Sequence, residues 1–203
     1  MKLTGRVLHL VEDPTLLGAQ IAGTDFPNDP QKPYIYGVNT DLMISGRACT
    51  LGYTPAVLGP YFLENLSEVV EMNGVKDGGF QVIVGGDAYG SGSSREVAVV
   101  AHQGAGIELV IADSFQRIFQ ENMVYSGMPF TTDRRVLDRL KAGEDIDTAS
   151  FFTALPPFFS AVAKAGGLLA YGTQLMAGEV TPTYDLNPAA RPMNVAEKII
   201  ATR

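Results

Sequence analysis

Gly90-Ser-Gly92-Ser93-Ser94-Arg95-Glu96 gathers two glycines, two adjacent hydroxyls and one guanidinium within seven residues. The segment follows an apolar run, Phe80 to Val84, that reads as a buried strand, and precedes a run that reads as a helix opening near Ser94. Gly85, Gly86, Gly90 and Gly92 allow positive φ and close approach of another molecule. A helix opening at this point aims unpaired N–H groups and the positive end of its dipole at whatever approaches. Hydroxyls, guanidinium and N–H groups together suit an anion. A purely structural reading uses the same residues, because Ser93 as N-cap and Glu96 three positions on would form a capping box. Other loops of known chemistry fit poorly. No Lys follows the glycines as in a Walker loop, and neither serine has glycines two residues away on both sides. Gly90-Ser-Gly92 is followed by Ser-Ser-Arg95 and so lacks the third glycine of a dinucleotide fingerprint.

Two further segments extend the pattern. Ser114-Phe-Gln-Arg117-Ile-Phe-Gln-Glu-Asn122 with Gly127 lies downstream, and Asn39-Thr40-Asp41-Leu-Met-Ile44-Ser-Gly46-Arg47 lies upstream. In this order, spanning Asn39 to Gly127, the three resemble the mobile swivel domain of the aconitase superfamily. More closely they resemble the free-standing small subunits of the 3-isopropylmalate dehydratase and homoaconitase type. The resemblance implies an α/β fold, a swivelling β/β/α domain with a central sheet flanked by helices. It implies a hydro-lyase that isomerises or dehydrates a hydroxy di- or tricarboxylic acid, with Ser93 as base and Ser94 and Arg95 binding substrate carboxylate. Asp41 would lie at the active site, and Arg117 and Asn122 would brace the Gly-Ser loop. The implied cofactor is a [4Fe–4S] cluster carried by an iron–sulfur large subunit, so the implied partner is that subunit.

The sequence departs from the family pattern in places. Asn39 stands for the first Asp of its D-T-D segment, Met43 for an isoleucine and Ser45 for a proline. Ser91 stands for a Cys, and Val97 for a His. Ala48 to Pro55 differs from the loop by which relatives choose among substrates, which suggests a less common branch acting on a methylated malate or a homocitrate-like acid. A second reading from another class stays open: a non-catalytic carboxylate-binding or regulatory module with the swivel fold.

Composition sets the bounds. At 203 residues and 46% apolar content the chain can bury one sizeable core. Its net charge of −7, without a basic cluster, argues against nucleic acid or an anionic membrane as partner. The single Cys49 can neither close an internal disulfide nor hold an iron–sulfur cluster, which needs three or four thiolates. No apolar run approaches the roughly 20 residues of a spanning helix, and the first residues lack a signal-peptide core, so a cytoplasmic protein is expected.

The elements that must position the loop follow in order. Gly5 to Glu12 reads as a first strand, with His9 a strand residue rather than a ligand. Residues 13–33 are rich in Pro, Gly, Asp and Asn and read as an insertion, with a short apolar patch from Leu16 to Ile21. Pro60 to Met72 reads as a helix with Tyr61, Phe62, Leu63, Leu66, Val69 and Val70 on one face. His102, nine residues past Ser93 and so roughly 13 Å along a helix, reads as a helix-end residue and not as that serine's base. Ile107 to Ala112 reads as a second buried strand completing a βαβ unit, and Ser114 to Asn122 opens another helix. Thr131 to Ala149 reads as a polar helix and loop, and Phe151 to Phe159 as a proline-broken apolar segment. Ala161 to Tyr171 reads as a helix end followed by a short strand. The swivel domain is expected over 1–178. An extended tail is expected over 179–203, ending in a short amphipathic helix, Pro192 to Ile200, which resembles the opening of large-subunit sequences.

Overall fold

A computed structural model describes residues 3–26 and 33–181, with Asn194, Val195 and Lys198. The expected α/β architecture is present, built on one sheet of four parallel strands in the order β1-β2-β3-β4. The first strand is β1 (Arg6–His9). A long connection follows, holding α1 (Pro14–Ile21), α2 (Thr40–Met43), α3 (Gly46–Cys49), α4 (Pro55–Leu58) and α5 (Gly74–Asp77). The sheet then continues through β2 (Phe80–Val84), α6 (Glu96–Gly104), β3 (Leu109–Ile111), α7 (Arg117–Tyr125) and β4 (Phe130–Thr131). The chain proceeds through α8 (Arg135–Lys141), α9 (Pro157–Lys164) and α10 (Leu168–Met176). Further β pairing consists of isolated bridges, Val11 with Tyr34, Asn39 with Ser91 and Tyr89 with Phe115.

β2 and β3 are continuous apolar runs because parallel strands are covered on both faces. Val82 pairs with Leu109 and Val84 with Ile111. Alternation sends Leu8, Ile83 and Val110 to one face, where they meet the residues of α1, α6, α7 and α9. Val82, Val84, Leu109 and Ile111 face the other way, onto Val136, Leu137 and Leu140 of α8. Consecutive parallel strands joined by right-handed crossovers place their helices on one side, which is where α6 and α7 pack. All four strands therefore end at the same edge, where the loop from Gly85 to Arg95 begins.

Several expectations are corrected. Pro60 to Met72 is a 3₁₀ turn (Gly59–Tyr61) followed by turns, not a helix. Leu63 sits at φ 65, and its N–H donates to Met43 O across the fold at 2.9 Å, so the helical ladder cannot continue. The apolar spacing still located buried residues, since Phe62, Leu63 and Val70 are in the core. The short strand expected within Ala161 to Tyr171 is instead the start of α10, which Gly167 opens at φ 109. The insertion holds a helix, α1, capped by the Asp13 carboxylate on the N–H groups of Thr15 and Leu16. Residues 27–32 of the insertion and nearly all of the tail lie outside the described residues. Of the expected terminal helix only Asn194, Val195 and Lys198 are described, and Lys198 N–H donates to Asn194 O at 3.0 Å. Among the described residues, no helix is long and apolar enough to cross a membrane.

Candidate active site

Helix α6 opens later than the sequence suggested. Glu96 is its first residue and Arg95 its N-cap, with no side-chain capping bond. The capping box is therefore absent. The backbone turns back on itself just before the helix, with Arg95 N–H donating to Ser93 O at 2.8 Å. That turn pulls Ser93 out of the N-cap position. Both serines are exposed, and among the described residues neither hydroxyl has a hydrogen-bond partner.

Two glycines make the turn possible. Gly90 has φ 79, and a Cβ there would lie 2.1 Å from the Phe119 ring. Gly92 has φ 92 and faces Asn39 and Thr40. Gly85 and Gly86 serve packing instead, against the Tyr89 ring and the Ile35 carbonyl.

The loop is stitched to the Asn39 segment. Gly90 N–H donates to Val38 O at 2.8 Å, and Thr40 N–H to Ser91 O at 2.9 Å. The Thr40 hydroxyl donates to Ser93 O at 3.1 Å, and the Ser91 hydroxyl to Gly37 O at 3.0 Å. Asn39 caps α2 by accepting from Leu42 N–H at 2.9 Å. Asp41, in the first turn of α2, reaches Arg95, with its Oδ1 2.5 Å from the guanidinium Nη1. The same Nη1 lies 3.3 Å from Ile44 O. Asp41, Ser93, Ser94 and Arg95 are thus brought to one place, with the first-turn N–H groups of α6 behind them.

Arg117 and Asn122 are not in this constellation. The Arg117 guanidinium pairs with Glu121 one turn along its own helix at 3.3 Å, and Asn122 Nδ2 is buried without a hydrogen-bond partner. Bracing from that side comes instead from neighbours just before α7. Ala88 N–H donates to the Ser114 hydroxyl at 2.9 Å, and Tyr89 N–H to Ser114 O at 3.0 Å. Gln116 N–H donates to Tyr89 O at 2.9 Å, and the Ser114 hydroxyl also bonds Asp87. Thr40 is the contributor that sequence reasoning passed over, although it lies inside the quoted segment. His102 is in the last turn of α6 as expected, but it is buried and bonded to Tyr89, a contact that no local spacing announces.

His9 is a strand residue as read. Its Nδ1 is 2.7 Å from the Tyr34 hydroxyl, and its ring stacks on Phe26. Burial, with Lys141 and Arg134 adding to it, lowers its pKa to about 4, so it is neutral at ordinary pH. Cys49 is half-buried at the end of α3. One thiol does not make the donor set of a [4Fe–4S] cluster, and among the described residues no group of three or more His, Cys, Asp or Glu is arranged to hold a metal ion.

Comparison with known proteins bears directly on this arrangement. Residues 64–134 match the family model of the aconitase C-terminal domain. The 3-isopropylmalate dehydratase small subunit of Halothermothrix orenii is 34% identical over 146 residues, covering 65% of this chain and 86% of that protein. The chain belongs to the 3-isopropylmalate dehydratase small-subunit family. The small subunit of that name from Pyrobaculum neutrophilum is 38% identical over 119 residues, covering 57% of this chain and 70% of that one. A crystal structure of 3-isopropylmalate dehydratase from Methanocaldococcus jannaschii superimposes with a TM-score of 0.52 at 26% identity, covering 71% of this chain and 91% of that chain. The family match of residues 64–134 takes in β2, the Gly-Ser loop, α6, β3, α7 and β4, the part of the fold that presents Ser93, Ser94 and Arg95.

Proposed function

We propose that this chain is the small subunit of a two-subunit hydro-lyase acting on a hydroxy di- or tricarboxylic acid of the 3-isopropylmalate class. The observation that carries the reading is the Asp41–Arg95 contact. A guanidinium at a helix opening already holds a carboxylate, on a surface where the Asp41 side chain is 62% exposed and an incoming carboxylate has access. Arg95 then grips a substrate carboxylate through its planar fork, and Ser94 donates its hydroxyl to one of the oxygens. Ser93 handles the proton. The proton to be removed lies next to a carboxylate and is weakly acidic, so a serine oxygen is a strong enough base only when ionised. Ionisation becomes favourable when oriented N–H groups and Arg95 surround the oxygen and water is excluded. The free chain leaves Ser93 open to water, so a covering partner completes the site.

The reaction balances simply. The C–H electron pair forms the new double bond as the Ser93 oxygen takes the proton, and the hydroxyl on the neighbouring carbon leaves with its bonding pair. Rehydration at the other carbon shifts the hydroxyl. A leaving hydroxyl needs a Lewis acid, which a [4Fe–4S] cluster would supply and which the resemblance assigns to an iron–sulfur large subunit. This chain supplies the proton-handling and carboxylate-holding half. The reading places the complex in the cytoplasm.

The test is co-expression with an iron–sulfur large subunit of the family, anaerobic reconstitution, and assay against 3-isopropylmalate, methylated malates, citrate and homocitrate. Turnover of at least one acid is expected only with both chains present. A cluster-loaded complex that binds these acids and turns over none would leave a carboxylate-binding module instead.

A further inference from the structure

Tyr89 and His102 form a fully buried polar pair that the reaction as read above does not use. The Tyr89 hydroxyl is 2.7 Å from His102 Nε2, and His102 Nδ1 is 2.7 Å from Ala98 O. A carbonyl only accepts, so Nδ1 carries the hydrogen and Nε2 accepts from Tyr89. The direction of the whole relay is fixed: Tyr89 hydroxyl to His102 to the α6 backbone. We propose that Tyr89 and His102 are positioning residues, whose hydrogen bond sets where α6 begins relative to the Gly-Ser loop and hence where Ser93 and Arg95 stand. The inference rests on the roles proposed for those two residues.

Three observations support it. First, α6 has no side-chain cap, so the contacts at its opening, Arg95 with Asp41 and with Ile44 O, hold the guanidinium and not the first-turn N–H groups. Its far end carries a buried side-chain tie: His102 lies seven residues beyond Arg95, about 10 Å along the axis. Second, Tyr89 is anchored through its own backbone, its N–H on Ser114 O and its O accepting from Gln116 N–H. The side-chain bond therefore closes the segment from Tyr89 to His102 at its base, and the serines and Arg95 lie on the arc so closed. Third, aromatic rings fence the pair on several sides. The Phe62 ring lies tilted 4.2 Å from His102, and Phe119 lies 5.7 Å from Tyr89 and 5.8 Å from His102. An apolar pair would fill the same space without burying a donor and an acceptor. What the polar pair adds is direction, because at low dielectric both groups are costly to leave unmade.

The experiment compares Tyr89→Phe, His102→Leu and the double variant in the reconstituted complex, well below each melting midpoint. Tyr89→Phe keeps the ring and removes only the bond. Its kcat should fall at least about tenfold, with a smaller rise in KM, since a displacement near 1 Å in a catalytic group can cost a hundredfold. The double variant restores an all-apolar pair, so its melting midpoint should recover towards that of the parent while kcat stays low. Recovery of kcat together with stability would overturn the proposal, as would unchanged kcat in Tyr89→Phe. Amide exchange of residues 90–97 in the free chain separates this from the functional reading. Exchange should quicken in Tyr89→Phe and in the double variant even if the complex proves to have no hydro-lyase activity. Unchanged exchange in both would overturn the positioning role by itself.

Discussion

At the residue scale, Arg95 carries the sharpest consequence. Arg95→Lys keeps the charge and removes the fork, so catalytic efficiency of the complex should drop by about 2–4 kcal/mol in transition-state binding. A merely structural Arg95 would tolerate Lys almost silently, because Lys keeps the positive charge beside Asp41 and such a solvent-accessible pair contributes little. Asp41→Asn tests the other half of the pair. As a half-exposed ion pair it should change stability by less than about 1 kcal/mol. If Asp41 holds the guanidinium in place, however, efficiency should fall well beyond that, which steady-state kinetics alongside a melting curve would reveal. Ser93→Ala is now a cleaner experiment than the sequence allowed. A capping serine would cost about 1 kcal/mol. Ser93 caps nothing, so stability should move by no more than about 0.5 kcal/mol while turnover falls by orders of magnitude with substrate binding retained. The residues of this constellation were legible because the family motif names them. Their mutual contacts were not, since the 2.5 Å approach of Asp41 to Arg95 joins segments 54 positions apart.

At the element scale, β2, β3 and the βαβ unit followed from their apolar runs, because strands covered on both faces must be continuously apolar, whereas β1 followed from a weak alternation. The failures were of other kinds. Pro60 to Met72 has helix-like spacing, yet a tertiary hydrogen bond claims the Leu63 N–H and the backbone turns left-handed. α1 was missed because a composition rich in Pro, Gly and Asp suggested loop, while Asp13 and Pro14 are a proper helix start. That helix also closes an exposed sheet edge. The Gln20 side chain accepts from His9 N–H at 2.8 Å and donates to His9 O at 2.9 Å, in the manner of a neighbouring strand. Gln20→Leu should therefore cost about 2–3 kcal/mol in denaturant unfolding, because two buried backbone groups lose their partners. A loss below about 0.5 kcal/mol would mean that the edge is not sealed this way.

At the scale of the whole molecule, two buried histidines set the acid limit. Burial lowers His102 to a pKa of about 4, with the bond to Ala98 O opposing it, and His9 is lowered to about 4 as well. Unfolded histidines titrate near 6.5, so between about 6.5 and 4 the unfolded chain binds protons that the folded chain refuses. Stability from this source is complete above pH 6.5 and is lost as the pH falls towards 4, on the order of 3 kcal/mol per histidine. Melting midpoints of the parent and of His102→Leu from pH 8 to 4 check this, and the variant should show the shallower decline. The strand order has a consequence of a different kind, in time. β2, β3 and β4 pair over short separations, whereas Arg6 and Phe80 are joined across about seventy residues of chain. A folding chain therefore reaches the β2–β4 unit first and docks β1, α1 and α2 later. Until α2 arrives, Arg95 stands on a formed helix without the counter-charge of Asp41. During that interval a small dicarboxylate in solution would act on the rate of folding and not on catalysis.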